Sequence, residues 1–141
     1  MITPNEVFTR LAEEVNDKTA VAGWAIVGDT IAGATQVYCT RTYRYIGRSL
    51  PCIYFREAHY RPTENVTLDY SDIQTNSTVY LEVYARDFGD DLAAITEQAM
   101  RDMKYIETSC TQIDNADPSI QRFALSFSRV ICEGDTLDEM S

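Results

Sequence analysis

The spacing of apolar residues changes several times along the chain, and each change predicts an element. Near the start, Val7, Phe8, Leu11 and Val15 form one apolar stripe at helical spacing, while Arg10, Glu13, Glu14 and Asp17 lie mostly off it. Thr3 is placed to cap a helix, Pro4 to occupy its first position and Glu6 to complete a capping box, so the pattern predicts a helix over residues 4–16. Residues 17–36 are rich in Ala and Gly, with Gly23, Gly28 and Gly33 interrupting any period, and read as a loop.

A period of two takes over in QVYCTRTYRYI, where Val37, Cys39, Tyr43 and Tyr45 alternate with Tyr38, Thr40, Thr42 and Arg44. β-Branched and aromatic residues there favour a strand, although Arg41 spoils its clean face. GRSL turns the chain into a second short strand, PCIYFREA, with Ile53 and Phe55 opposite Cys52, Tyr54 and Arg56. The polar stretch HYRPTENVTLDYSDIQTNS, punctuated by Pro62, Asn65 and Asn76, reads as a long hairpin arm or loop.

In STVYLEVYARDFGDDLAAITEQAMRDMKYI the period switches midway from strand to helix. Val79, Leu81, Val83 and Ala85 are expected to face a core, and Tyr80, Glu82, Tyr84 and Arg86 to face outward. Leu92, Ile95, Ala99, Met103 and Ile106 then repeat at helical spacing, behind Asp87, Asp90 and Asp91, which suit the positive end of the helix dipole. YIETSCTQID reads as an irregular strand and NADPS as a turn. IQRFALSFSRVIC is the clearest strand, with Phe123, Leu125, Phe127 and Ile131 alternating with Arg122, Ala124, Ser126 and Ser128. The tail EGDTLDEMS holds four acids and no base and is expected to fray.

The order α, β, β, arm, β, α, β, β predicts an α+β fold: a mostly antiparallel sheet, both helices on one face, and a long hairpin arm. Residues 1–141 are expected to form a single domain, with 133–141 as a flexible acidic tail.

Composition narrows the function more than it does the fold. Twelve Lys and Arg against 22 Asp and Glu give a formal charge of -10, which opposes holding nucleic acid through its phosphates. Cys39, Cys52, Cys110 and Cys132 are widely spaced, without a CxxC or Cys/His pair, and read as small apolar strand residues. MITPNEVF has no basic region followed by an apolar one, so reduced thiols in a cytosol are expected. The least polar run, TAVAGWAIVGDTIAGA, is broken by Asp29 and three glycines and is too short for a membrane span.

Candidate chemistry is sparse. His59, at the start of the polar arm, and Glu57 are two residues apart and could share one strand face, without the serine or cysteine of a nucleophilic pair or a third metal ligand nearby. Asp87, Asp90 and Asp91 lack the alternating acids and distal Glu of a calcium loop, and the glycines form neither phosphate-binding pattern. Arg41, Arg44 and Arg48 lie among Tyr38, Tyr43 and Tyr45, a mixture that can bind single-stranded nucleic acid; with a net charge of -10, a sheet face or subunit interface fits better. Catalytic residues, cofactor and metal are all expected to be none. The nine tyrosines, several of them interleaved with Arg and Glu, instead suggest contact with other proteins.

The succession LPCIYFREAHYRP, a polar arm, TLDYSDIQTNSTVYLEVYARDFGDDLAAITEQAMRDM and IDNADPSIQRFALSFSRVI resembles the small tail terminator proteins of long-tailed bacteriophages. These are also called tail completion proteins, and some relatives carry the label minor capsid protein. The resemblance rests on order and spacing, with P-x-[IV]-x-[FI]-x-E-A before the arm and D-P-[ST]-I-x-R before the last strand. It covers residues 50–132 and, in kind, the first helix; residues 17–36 have no counterpart.

The resemblance implies a structural subunit without turnover, located in the virion at the head-proximal end of the tail of a siphophage and assembled in the host cytoplasm. There it would form a hexameric ring that caps the tail tube, stops its polymerisation and serves head-tail joining. The implied partners are further copies of itself, the major tail tube protein and a head-completion (stopper or connector) protein. DNA would pass through the ring without specific binding, and no membrane is involved. A head-to-tail ring needs two complementary patches. The candidate contacts to a neighbouring subunit or the tube are Arg56, Glu57, His59, Tyr60 and Arg61, and separately Tyr80, Glu82, Tyr84 and Arg86. Two alternatives stay open: a connector or stopper subunit of the neck, and a small α+β enzyme or ligand-binding domain using His59 and Glu57.

Overall fold

The computed structural model describes residues 2–21, 37–42, 51–62, 74–86, 89–132 and 134–137. The expected strand residues Tyr43, Arg44 and Tyr45, Arg48 with its GRSL turn, arm residues 63–73, Asp87, and tail residues 133 and 138–141 lie outside them, as does most of the expected loop, 22–36. The described elements are α1 (Pro4–Val21), β1 (Tyr38–Thr40), β2 (Cys52–Pro62), β3 (Gln74–Ala85), α2 (Gly89–Asp102), β4 (Ile106–Ile113) and β5 (Gln121–Cys132). Their order is the expected one, and the fold is α+β.

Thr3 caps α1 as its sequence position predicts: its hydroxyl accepts from the Glu6 amide at 3.2 Å, and its carbonyl accepts from Val7 N at 3.2 Å. The helix continues five residues past its expected end at residue 16. Asn16 turns its side chain away from the helix backbone ahead: Oδ1 accepts from Val37 N at 2.6 Å, while Nδ2 donates to Ala12 O at 2.9 Å and to Val37 O at 3.4 Å. Beyond it, Lys18 reaches Asp102 of α2 at 2.7 Å and Glu14 at 3.7 Å, holding the last turn against the second helix.

The five described strands form one sheet in the order β1-β2-β3-β5-β4. β1 runs parallel to β2, and the other neighbours are antiparallel. β5 therefore returns between β3 and β4, and α2 carries the chain from β3 over the sheet to the far edge. β2 and β3 stay paired out to Pro62 and Thr75, so the described base of the expected arm is an antiparallel pair.

Both helices pack on one face. Val7, Leu11 and Val15 of α1, and Leu92, Ala93, Ala99 and Met100 of α2, join Ile53, Phe55, Val79, Leu81, Val83, Phe123, Leu125, Phe127 and Ile131 in one core cluster. Each such Leu, Ile or Phe contributes about 1.5–3 kcal/mol by leaving water. Phe8 stands edge-on to Phe55, with ring centroids 5.6 Å apart, and the guanidinium of Arg41 lies 5.3 Å from the same ring. The arginine that spoiled a clean strand face thus lies against the Phe55 ring.

The ends of α2 explain one departure from the expected stripe. At its start, Gly89 N donates to Gln121 Oε1 at 2.8 Å, and a Cβ at Gly89 would come within 2.8 Å of the Phe123 ring. At its end, Lys104 adopts φ 66°, Tyr105 N donates to Met100 O at 3.0 Å and Lys104 N to Arg101 O at 2.8 Å. This is the left-handed helix ending in which two backbone bonds satisfy the last carbonyls. It stops the helix before Ile106, which was expected on the buried stripe and is instead 72% exposed in β4. Arg129 of β5 completes the ending by donating to Met103 O at 2.7 Å, and the Tyr105 hydroxyl shares a 2.6 Å hydrogen bond with Ser77.

Candidate functional site

Pairing registers define the face of the sheet away from the helices as a set of cross-strand rows. One row runs Tyr38, Cys52, Tyr84, Arg122, Ile113, and the next runs Thr40, Tyr54, Glu82, Ala124, Thr111. A third joins Glu57, Tyr80, Ser126 and Ser109, and a fourth joins His59, Thr78, Ser128 and Ile106. The registers exist in this form because β2 carries a bulge between Phe55 and Glu57. Strict alternation from Ile53 and Phe55 would put His59 among the core positions; the extra residue at Arg56 resets the phase, so Ala58 packs on the core and His59 is exposed.

The first predicted patch is thereby placed as follows. Arg56 sits exposed at the bulge, and His59 is exposed with its ring edge-on to Tyr80, centroids 5.8 Å apart. Glu57, Tyr60 and Arg61 pair in register with Tyr80, Ser77 and Asn76.

The second predicted patch needs correction. Tyr80 is half-buried and Arg86 exposed, but Glu82 and Tyr84, expected to face outward, are both buried, Glu82 to 4% exposure. The reason is Arg122 on the neighbouring strand: its Nε donates to Glu82 Oε1 at 2.7 Å, and its Nη2 makes a second, very short contact to the same oxygen. The Tyr84 hydroxyl donates to that oxygen at 3.2 Å, and the guanidinium lies 5.5 Å from the Tyr84 ring centroid. Burial, reinforced by the Glu82 charge, pushes the Tyr84 phenol above its ordinary value, so it remains a donor. Cys52 and Tyr54 are buried with Tyr84, and Tyr38 and Ile120 pack against them. Glu82 and Tyr84 are therefore supports of the surface.

Arg86 is tied to the turn at the end of the sheet, donating to Ser119 Oγ at 3.1 Å. Ser119 in turn donates from N and Oγ to Asp117 Oδ1, at 3.0 and 2.7 Å, which makes NADPS the expected turn. These two bonds from Ser119 hold the Asp117 carboxyl below its ordinary value.

The four cysteines, all among the described residues, are unbridged. Cys52 is buried, and Cys39, pushed up to about 12 by burial and the neighbouring Cys52, is a small core thiol as expected. Cys110 departs from that reading, since it is exposed on β4. It gathers with Glu107 and Glu97 of α2, their ligand atoms lying within 4.8 Å of one another. Burial and the adjacent acids push the Cys110 thiol up, and burial and a hydrogen bond with Glu97 push the Glu107 carboxyl up. Both shifts favour the protonated forms of Cys110 and Glu107, whereas a cation needs its ligands deprotonated.

Residues that single-chain periodicity missed, chiefly Arg122 and Tyr54, share a signal: each is a large polar or amphipathic side chain at an outward strand position beside an acid or another aromatic. Among the described residues no helix is long and apolar enough to cross a membrane. No protein-family model matches the chain, and no curated protein matches it.

Proposed function

We propose that the chain is a tail terminator subunit of a long-tailed bacteriophage, forming a ring that caps the tail tube, ends its polymerisation and offers the surface on which the head joins. The supporting observation is that two stretches read separately as contact patches meet at His59 and Tyr80, on the face the helices leave uncovered. Exposed Arg56, His59 and Arg86 with half-buried Tyr80 supply the residue types that protein interfaces favour. The opposing patch that a head-to-tail ring requires is the acidic first turn of α2, where Asp90 and Asp91 are exposed. A charge of -10 suits a passage through which DNA slides without sticking.

The test is removal of the gene from a phage that carries it. Overlong tails and unattached heads in electron micrographs of the lysate are expected, and normal virions would overturn the proposal. Tails of normal length on which heads fail to join would instead assign the subunit to the connector ring. A His59→Ala/Tyr80→Ala variant should fold normally yet fail to restore tail length; full complementation would remove this surface from the proposal.

A further inference from the structure

Among the described strands, the two edges of the sheet are unlike. β1 offers three residues, whereas β4 is eight residues long and its residues from Ile106 to Gln112 are all exposed, on both faces. Folded proteins blunt such edges with charge, proline or brevity, because a bare row of amides and carbonyls accepts another strand. β4 uses little of this. Its one charged residue is Glu107, its one irregularity lies between Glu107 and Ser109, and from Ser109 to Ile113 it is regular, uncharged and free of proline. Among the described residues the exposed large hydrophobics are Ile106, at 72%, and Val130, at 47%. They share a corner: Ile106 pairs with Ser128, and Val130 is two residues further along β5 on the same face.

We infer that β4 is a self-association edge, on which a second copy of this chain adds its own β4 antiparallel about a two-fold axis, joining two sheets into one. Alternation of side chains requires such an axis to pass through a residue that faces its own copy. In the regular stretch, Ser109 to Ile113, an axis at Thr111 pairs all five residues and one at Cys110 pairs three. An axis at Thr111 sets Ser109 opposite Ile113 and Cys110 opposite Gln112, and one at Cys110 sets Ser109 opposite Thr111. None of these pairs contains a charged residue, although the chain as a whole carries -10. Ser109, Cys110, Thr111, Gln112 and Ile113 make up these pairs, and the Ile106 and Val130 corner of each copy is brought toward its partner. A second copy fits this edge for that reason: the strand is compatible with itself in each of these registers, while its lack of charge gives a foreign acidic or basic strand nothing to recognise.

The inference is independent of the terminator ring. A two-fold contact uses one patch twice, a ring uses two different patches, and the two are broken by different substitutions. The experiment is light scattering on the full chain over a concentration series, with wild type and Thr111→Lys, which sets cations close across the axis. Wild type should form a dimer, and Thr111→Lys should weaken it about tenfold or more, equivalent to about 1.4 kcal/mol. A short bifunctional maleimide should give a covalent dimer that Cys110→Ser abolishes without abolishing the non-covalent one. Gln112→Arg, on the other face of the strand, serves if Thr111→Lys lowers the melting temperature. Wild type that stays monomeric, an oligomer whose mass neither substitution changes, or a crosslink that survives Cys110→Ser would each overturn the inference. A β4 edge that captures only a foreign strand would also give the monomeric result.

Discussion

From Leu81 to Ala85, strand β3 buries both of its sides, and it does so by two different physical routes. Toward the helices, Val79, Leu81, Val83 and Ala85 are sealed by apolar packing. On the other side, the Glu82 carboxylate, the Arg122 guanidinium and the Tyr84 hydroxyl satisfy one another, with Tyr54 and Cys52 buried in the same cluster as Tyr84. An apolar side is non-directional and tolerates repacking, whereas the ionic side works only while every partner is present. Polarity along a strand therefore reports which kind of neighbour a residue needs, and burial has to be learned from the strand beside it.

Substitutions on the two sides should separate these routes. The largest effect is expected from Leu81→Ala in the core, about 3–4 kcal/mol of lost stability in a denaturant titration. Arg122→Ala should follow at about 2–3 kcal/mol, moderated because the guanidinium is partly exposed while the abandoned Glu82 is not. Replacing Glu82 and Arg122 together by Leu should recover most of that loss; a double variant as unstable as Arg122→Ala would mean that the aromatic ring contacts, and not the unpaired carboxylate, carry the effect.

Smaller effects belong to the helical layer alone. Lys104→Gly relieves a side chain held at φ 66° and should raise stability by about 0.5–1 kcal/mol, with no change in any property of the opposite face. The Lys18–Asp102 bridge between the helices should contribute under about 1 kcal/mol, because both groups are partly exposed. Its hydrogen bond holds the Asp102 carboxyl below its ordinary value and the Lys18 ammonium above its own. The Asp102 contribution is thus present above the usual carboxylate range and lost as pH falls through the lowered value. That of Lys18 is present below the usual ammonium range and lost as pH rises through the raised one. Melting temperatures of wild type and Asp102→Asn should converge in acid and differ most between those limits.

What could be read from the sequence was whatever depends on near neighbours. Thr3 and Pro4 announce α1 because a cap acts within one turn, and NADPS announces its turn because Asp117 bonds Ser119 two residues on. The apolar rows of β3 and β5 follow from alternation alone. Glu82 could not be placed, because the arginine that buries it lies 40 residues away and only the register of β3 with β5 brings them together. Ile106 fits the helical stripe, yet a non-glycine residue ends the helix with no local signal of the usual kind. The bulge at Arg56 likewise has no glycine to mark it, and it alone decides that His59 joins the far face. Of the candidate contacts, Arg56, His59, Tyr80 and Arg86 remain accessible or partly so, whereas Glu82 and Tyr84 were misread because each looked like an ordinary outward residue until its partner was known.

The amide of Asn16 imitates one residue of a strand, giving Val37 both a donor and an acceptor. The two ends of the intervening chain are thereby fixed by a side chain, independently of how many residues connect them. Doubling such a connection adds only about 0.6 kcal/mol of closure entropy. Its length can accordingly drift over generations without disturbing the sheet, which makes this the place where related chains should differ most in size while keeping the same architecture.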